Sequence, residues 1–225
     1  MCNRYEIRGS ISQIRALANL LARELFTTPA TGNLEPRDSV YPDQDAPILV
    51  SRPEGGLELR LARWGFPPIT GKSDVITNIR NLKSKWWKDV NREWLTAPAY
   101  RCLVPFTAFA EPVRNSTWFY TPAAEVPCFA GIWRPWSGER LMATGKARRE
   151  RVHRDDWHLY AFLTTEPNEL VRPIHERAMP VILVDPAEQE EWLAGGEASL
   201  RLQRTLPDAD LRVRTTVPTS EATRV

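Results

Sequence analysis

Cys2 is the residue of this sequence with the most distinctive chemical potential, because it directly follows the initiator methionine. Initiator methionine is generally trimmed before a small second residue, so we expect Cys2 to carry a free α-amine beside its thiol. Such a 1,2-aminothiol reacts with an aldehyde: the amine forms a Schiff base, and the thiol then closes a thiazolidine ring. An α-amine with a pKa of about 7.7–8.0 is partly neutral and nucleophilic near pH 7. The alternative is an accidental cysteine in a frayed terminus, and position 2 alone does not decide between them.

Two further side chains have settings that suit proton transfer. Glu111 ends the apolar run 100–110, where it is either a solvated strand end or a desolvated acid with a raised pKa. His175 lies in a loop bracketed by prolines, just before an apolar strand, although a lone histidine is more often structural than catalytic. The other two histidines, His153 and His158, flank an Asp-Asp-Trp stretch and resemble surface or strand-edge residues.

The segment 82–94 interleaves basic and aromatic residues: Lys83, Lys85, Trp86, Trp87, Lys88, Arg92 and Trp94. This pattern suits single-stranded nucleic acid, because cations follow the phosphates while rings stack on bases. It equally suits a partly buried amphipathic helix with a solvated basic face. A second basic patch over 146–154 is most simply a solvated loop.

The composition excludes several classes of protein. The 225 residues can bury a substantial core, and the net charge of +2 demands no anionic partner. Three cysteines and three histidines show neither a disulfide framework nor the spacing of metal ligands, so we expect no cofactor and no metal. The sequence shows no apolar signal core and no long apolar run, which favours a soluble, cytoplasmic protein without membrane contact.

The hydrophobic pattern places these residues in a single α+β domain of short strands in mixed or antiparallel sheets with peripheral helices. A helix is predicted over 12–25, capped by Ser10 or Ser12, and a long loop over 27–46. A second helix is predicted over 186–193, capped by Asp185. Strands are predicted at 2–7, 47–52, 57–64, 100–110, 118–121, 127–133, 140–144, 158–165, 181–184 and 211–217. The turn 64–68 is expected to leave its aromatic rings exposed or half exposed.

A series of short motifs occurs in this order: Met1-Cys2-Asn3-Arg4-Tyr5, Trp64-Gly65, Asn78-Ile79-Arg80, Arg101-Cys102-Leu103-Val104-Pro105 ending in Glu111, Ala130-Gly131-Ile132-Trp133, Thr164-Thr165, and Ile174-His175-Glu176-Arg177 with Met179-Pro180-Val181. Each motif is weak alone. Their order and their anchoring on a second-position cysteine resemble the SRAP family, the SOS response-associated peptidase or abasic-site-processing proteins. The resemblance covers residues 1–217 as one domain, with 218–225 expected to be a flexible tail.

This resemblance implies a fold around a β-barrel-like core, and a basic groove that binds single-stranded DNA containing abasic sites. It implies covalent capture of the ring-opened deoxyribose aldehyde through Cys2, as part of the DNA damage response, by a monomer that associates with the nucleoid when DNA is damaged. Whether AP lyase cleavage accompanies capture stays open. The implied catalytic set is Cys2, Asn78, Glu111 and His175. The implied DNA contacts are Arg4, Trp64, Arg80, Thr165 and Arg177, with Trp64 as a wedge against the flanking base.

The sequence departs from the family pattern at Asn3, at Pro112, in the stretch 41–47 and at the extra residue Ala178. These departures put the details of the DNA contacts in doubt. Two rival functions use the same residues. One is a thiol peptidase with Cys2 and His175 as its catalytic pair. The other is a single-strand binding module without catalysis, whose affinity would fall with salt.

Overall fold

The computed structural model describes residues 2–67, 75–111, 116–143 and 149–214. In this part of the chain the strands are β1 (Tyr5–Ile7), β2 (Leu25–Thr27), β3 (Arg37–Val40), β4 (Asp45–Ser51), β5 (Leu57–Trp64), β6 (Asn78–Ile79), β7 (Arg101–Pro105), β8 (Ala108–Glu111), β9 (Thr117–Tyr120), β10 (Cys128–Ala143), β11 (Arg149–Thr165), β12 (Met179–Pro180), β13 (Ile182–Leu183) and β14 (Arg212–Arg214). The α-helices are α1 (Ile11–Leu20), α2 (Arg92–Thr96) and α3 (Pro186–Ala194). A π-helix spans Trp86–Val90, and 3₁₀ turns span Pro98–Tyr100, Ala198–Leu202 and Asp208–Asp210.

A closed, mixed barrel forms the centre of the fold. Strands β11, β10, β7, β4 and β5 pair antiparallel in that order, and β5 returns to pair in parallel with β11. A second sheet, ordered β14-β9-β8-β1-β3, packs against it. The predicted α+β domain with a β-barrel-like core is therefore confirmed.

The alternation of side chains along the barrel strands divides the core into two clusters. One face, with Leu49, Leu59 and Leu103, packs against α1 and α3. Since these helices are outside the barrel, the other face is its interior. Aromatic rings fill that interior, among them Tyr5, Trp64, Phe129, Tyr160 and Phe162.

The boundaries of α1 show where tertiary contacts override the helical pattern. Ser10 caps the helix, since its Oγ accepts from the Gln13 amide at 3.3 Å while Gln13 Oε1 accepts from the Ser10 amide at 2.9 Å. The helix ends at Leu20 rather than at residue 25, because Ala22 turns the chain with φ +53°. Leu25 then pairs with Leu57 in β2 and β5.

Two other sequence predictions are corrected. The predicted loop 27–46 contains β3, which pairs with β1 through the long-range register Tyr5 to Val40. The strands predicted at 127–133 and 140–144 are one strand, β10, whose long pairing with β11 holds the intervening residues extended. The helix predicted at 186–193 and its Asp185 cap are confirmed, with Asp185 Oδ1 accepting from the Ala187 amide at 2.9 Å.

The basic and aromatic segment 82–94 is partly buried and has a solvent-exposed basic face, as the prediction of an amphipathic helix requires. Trp87 is buried, and Trp86 and Trp94 pack against the core. The cations of the segment point to solvent: Lys83, Lys85, Lys88 and Arg92. None of the helices in the described ranges is long and apolar enough to cross a membrane.

Candidate active site

Strand pairing brings Cys2 next to Glu111. β1 and β8 are antiparallel, with Tyr5 opposite Phe109, and the Ala110 amide donates to the Arg4 carbonyl at 2.9 Å. Cys2 is 1% exposed, and its Sγ lies 3.6 Å from the Arg4 carbonyl oxygen. Burial, and secondarily the negative charge of Glu111, raises the pKa of the Cys2 thiol well above its usual value. The sulfur is therefore a thiol rather than a thiolate at neutral pH.

Glu111 is a desolvated acid at the end of β8. Its side chain is 1% exposed, and its Oε1 has no hydrogen-bond partner among the described residues. Burial raises the pKa of this carboxyl to about 7. At neutral pH both protonation states are populated, so Glu111 suits a role as acid and as base in successive steps.

Asn78 holds the backbone of Cys2. Its Nδ2 donates to the Cys2 carbonyl at 3.0 Å and to Thr77 Oγ1 at 2.7 Å. β6 positions this side chain by pairing in parallel with β11, where Asn78 lies beside Phe162. The Asn78 Oδ1 is buried and has no partner within the described part of the chain, so it is available to a substrate donor.

His175 lies at the end of a structured turn. Asn168 Oδ1 accepts from the Val171 amide at 3.0 Å, and the His175 amide donates to the Val171 carbonyl at 2.8 Å. The imidazole Nδ1 is 2.8 Å from the Ala178 carbonyl oxygen and 3.2 Å from its amide nitrogen. We assign the Nδ1–H tautomer from the shorter distance, which makes Nε2 the basic nitrogen.

Burial lowers the pKa of His175, and the charges of Arg177 and Arg80 act in the same direction. The imidazole is consequently neutral at pH 7. The turn 172–177 lines an open cavity of about 820 Å³. The extra residue Ala178 is buried and holds the imidazole through its backbone.

The expected DNA contacts are placed in different environments. The Arg4 guanidinium lies 4.7 Å from the Trp118 ring centroid and donates to Ser39 Oγ at 2.9 Å. Arg80 Nη1 donates to the carbonyl oxygens of Thr165, at 3.3 Å, and of Arg177. Thr165 is half-buried and Arg177 is exposed in the wall of the cavity.

The expectation for Trp64 is wrong. Its ring is 0% exposed and stacks on Phe162 with centroids 5.1 Å apart inside the barrel. The indole N–H donates to the Thr77 carbonyl at 3.1 Å, next to Asn78. Trp64 therefore supports the chain beside β6, and its buried ring is not exposed to stack on a base. Phe66, which follows β5 and forms an isolated bridge with Ile76, is also buried.

Two residues at this site have no individual role in the sequence analysis. Thr164 is 1% exposed, and its Oγ1 has no partner among the described residues. Gln203 Nε2 donates to the carbonyls of Arg80, at 2.7 Å, and Thr164, at 2.9 Å. The Thr-Thr pair could have pointed to Thr164, whereas nothing in the local sequence marks Gln203. In the described ranges no group of histidine, cysteine and acidic residues has the geometry to hold a metal ion.

The class of protein that this fold defines is a mixed β-barrel with a packed second sheet, in which the carbonyl of a second-position cysteine accepts from Asn78 and the cysteine lies near the buried acid Glu111. The chain belongs to the SOS response associated peptidase (SRAP) family, whose model matches residues 1–220. The fold is shared with solved structures. A protein from Bacteroides thetaiotaomicron matches with a TM-score of 0.66 and 21% identity over 94% of this chain and 90% of that one. A protein from Bordetella bronchiseptica matches with a TM-score of 0.64 and 18% identity over 96% and 100%.

Curated relatives carry functional names. The abasic site processing protein YoqW of Bacillus subtilis is 25% identical over 207 residues, covering 86% of this chain and 80% of YoqW. The abasic site processing protein YoaM of the same organism is 27% identical over 174 residues, covering 72% and 67%.

Proposed function

We propose that this protein processes abasic sites in DNA by capturing them covalently on Cys2 in single-stranded DNA. The family and the names of the relatives support abasic-site processing in general. The observation that carries the chemical proposal is the contact set of Cys2. Asn78 fixes its carbonyl, and the thiol lies beside the protonatable carboxyl of Glu111.

The reaction joins the lesion and the aminothiol with loss of one water. After removal of Met1, the α-amine adds to the C1′ aldehyde of the ring-opened sugar and gives a carbinolamine. Protonated Glu111 donates a proton to the departing hydroxyl, which leaves as water, and a protonated Schiff base forms. The Cys2 thiol then adds to the iminium carbon, and its proton returns to the Glu111 carboxylate. The product is a thiazolidine.

His175 acts before this addition. A neutral imidazole with a basic Nε2 can take the proton of the C1′ hydroxyl and return it to the ring oxygen, which opens the sugar to the aldehyde. Arg4, Arg80 and Arg177 bind the phosphates on either side of the lesion. Guanidinium groups suit this role because their planar donors match phosphate oxygens.

The thiol pKa argues against a thiol peptidase. A peptidase nucleophile requires a thiolate, which is favoured by a lowered pKa. Here burial and the neighbouring Glu111 act in the opposite direction. An aminothiol that first reacts through its amine has no such requirement, because the sulfur attacks an already activated imine within the same molecule.

The test is a denaturing gel of purified protein with a single-stranded oligonucleotide that carries one abasic site, beside an undamaged strand. We expect a heat-stable band with the wild type and with Cys128→Ala, a buried cysteine outside the site, but none with Cys2→Ala. Cys2→Ser keeps the amine and should crosslink only when borohydride reduces the Schiff base.

Mass spectrometry completes the test. The captured species should have the mass of the chain without Met1 plus that of the strand, minus one water. If the protein lacks Met1 and still gives no band with the abasic strand, covalent capture through Cys2 is refuted. A band that persists in Cys2→Ala would assign the bond to another residue.

A further inference from the structure

The guanidinium of Arg80 is already occupied by groups of its own chain. Its Nη1 donates to the backbone carbonyls of Thr165 and Arg177, and its Nη2 donates to the carboxylate of Glu166 in an ion pair. The Glu166 side chain is 69% exposed and that of Arg80 is 37% exposed, so the pair forms at the protein surface. The Glu166 carboxylate therefore occupies guanidinium donors of Arg80 that a DNA phosphate would need.

The backbones of both residues are fixed. β6 pairs in parallel with β11, with Ile79 beside Leu163, so that Arg80 follows β6 next to the end of β11, and Glu166 directly follows that end. Gln203 binds the Arg80 carbonyl, and Thr205 Oγ1 donates to the Glu166 carbonyl at 2.9 Å. The acid is therefore presented to Arg80 by the strand pairing and not by a freely moving loop.

We propose that Glu166 is a built-in counterion that competes with a DNA phosphate for Arg80 and so sets the selectivity of the site. This inference rests on the proposed function. Carboxylate and phosphate use the same planar donors, and their like charges prevent both from occupying them. Any strand must displace Glu166 to engage Arg80. An undamaged strand gains no covalent bond afterwards and dissociates, whereas a strand with an abasic site is retained by the reaction at Cys2.

The experiment measures the affinity of the full chain for an undamaged single-stranded oligonucleotide by fluorescence anisotropy at low salt. An exposed ion pair contributes little, but its loss here also removes repulsion of the phosphate, so we expect Glu166→Gln to bind about three- to tenfold more tightly. The plot of log K against log salt concentration should become steeper by ~0.7, as one further phosphate is neutralised.

Glu169→Gln is the matched control, because Glu169 is an equally exposed acid nearby that pairs with Arg172 instead of Arg80. It should change affinity by less than about twofold, since it removes the same charge without freeing Arg80. In an Arg80→Gln background, Glu166→Gln should likewise have less than about a twofold effect, because the competition no longer exists.

Equal affinities of wild type and Glu166→Gln would overturn the proposal, and so would an equal gain from Glu169→Gln or from the Arg80→Gln background. Those results would reduce Glu166 to a general surface charge. The abasic-strand gel is read separately. If the abasic strand is not captured but the affinities of Glu166→Gln and its controls are as expected, the proposed reaction is refuted and the counterion role of Glu166 stands. If no variant binds single strands, both proposals are refuted.

Discussion

The most informative residue of the site is a carboxyl that the fold keeps out of water. Glu111 lies at the end of an apolar strand, beside a thiol that is also buried. Desolvation is the largest cause of its raised pKa, so the environment rather than a specific partner prepares it for proton transfer. Burial of this carboxyl lowers the stability of the folded chain, because the charged form of the group is disfavoured there.

The cost has a definite pH dependence. The folded-state pKa of about 7 is above the ordinary 4.5, so the folded chain binds the extra proton and loses stability as pH rises between these values. Glu111→Gln should therefore be similar to wild type in stability at pH 4 and more stable by about 1–3 kcal/mol at pH 8. Urea unfolding at several pH values measures this difference.

The same variant should lose the inflection near pH 7 in the rate of abasic-site capture, together with most of that rate. Glu125→Gln, a change at an exposed carboxylate, is the control for both measurements. A stability difference that does not grow between pH 4 and pH 8 would show that Glu111 is ionised normally in the folded chain.

At the scale of elements, the segment 203–206 braces the edge of the barrel beside Arg80. Gln203 joins the carbonyls of Arg80 and Thr164, and Thr205 holds Glu166. The Leu206 carbonyl accepts from Asn168 Nδ2 at 3.2 Å, which ties in the turn that carries His175. One short stretch from the last part of the chain thus aligns β6, the end of β11 and the histidine turn.

Gln203→Ala should disturb substrate binding rather than chemistry. Removing the donor leaves two carbonyls without their partner, at a cost of about 1–3 kcal/mol, and loosens Arg80. Cys2 precedes β1 and Glu111 ends β8, whereas Gln203 bonds to Arg80 after β6 and to Thr164 of β11. We expect a higher DNA concentration for half-maximal capture and an unchanged maximal rate in a titration of the abasic strand.

Gln203→Glu is the matched variant, because it preserves shape but presents an acceptor to both carbonyls. It should be at least as impaired as Gln203→Ala. If the glutamate variant binds the strand like the wild type, the two hydrogen bonds do not position Arg80, and the brace has only a packing role.

At the scale of the whole molecule, the last described strand is bonded to the first. Glu6 of β1 is 2% exposed and accepts from both terminal nitrogens of Arg214, at 2.8 and 2.6 Å. The arginine side chain spans the sheet face between β14 and β1, where β8 presents only the small side chains of Ala108 and Ala110. The strand that follows Cys2 is thereby bonded to the last described strand.

Arg214→Gln should destabilise the fold at neutral pH. Burial acts to raise the pKa of Glu6, but the hydrogen bonds and charge of Arg214 outweigh it and the pKa is lowered. The stabilisation is present above the unfolded-state value of 4.5 and is lost as pH falls through the folded-state pKa. Since Arg214 is 37% exposed, we expect a loss of about 1–2 kcal/mol at pH 7.

Urea unfolding at pH 7 and pH 3 measures this loss, which should shrink at the lower pH. The double variant Glu6→Gln with Arg214→Gln should recover part of the stability, because it leaves no buried carboxylate unpaired. A loss of equal size at both pH values would assign the effect of Arg214 to packing on Trp118 instead of to the ion pair.

The sequence by itself determined the family and the elements whose periodicity is local, and it predicted the chemistry of Cys2. Local sequence patterns predict features that depend on neighbours within a few residues. These features are the capping serine of α1, the capped helix α3 and the alternation of β5. The family motifs also identified Asn78, Glu111 and His175 as candidates, because each stands in a short recognisable run.

Only the tertiary structure decided which side chains face the site, because that depends on pairings between distant segments. β1 joins β3 and β8, so the loop 27–46 contains a strand that no local signal predicts. The closure of the barrel takes Trp64 into the interior, since β5 must pair with β11. The pairing of β6 with β11 brings Glu166 to Arg80, and Gln203 reaches Arg80 from a distant part of the chain. Local periodicity cannot encode these contacts.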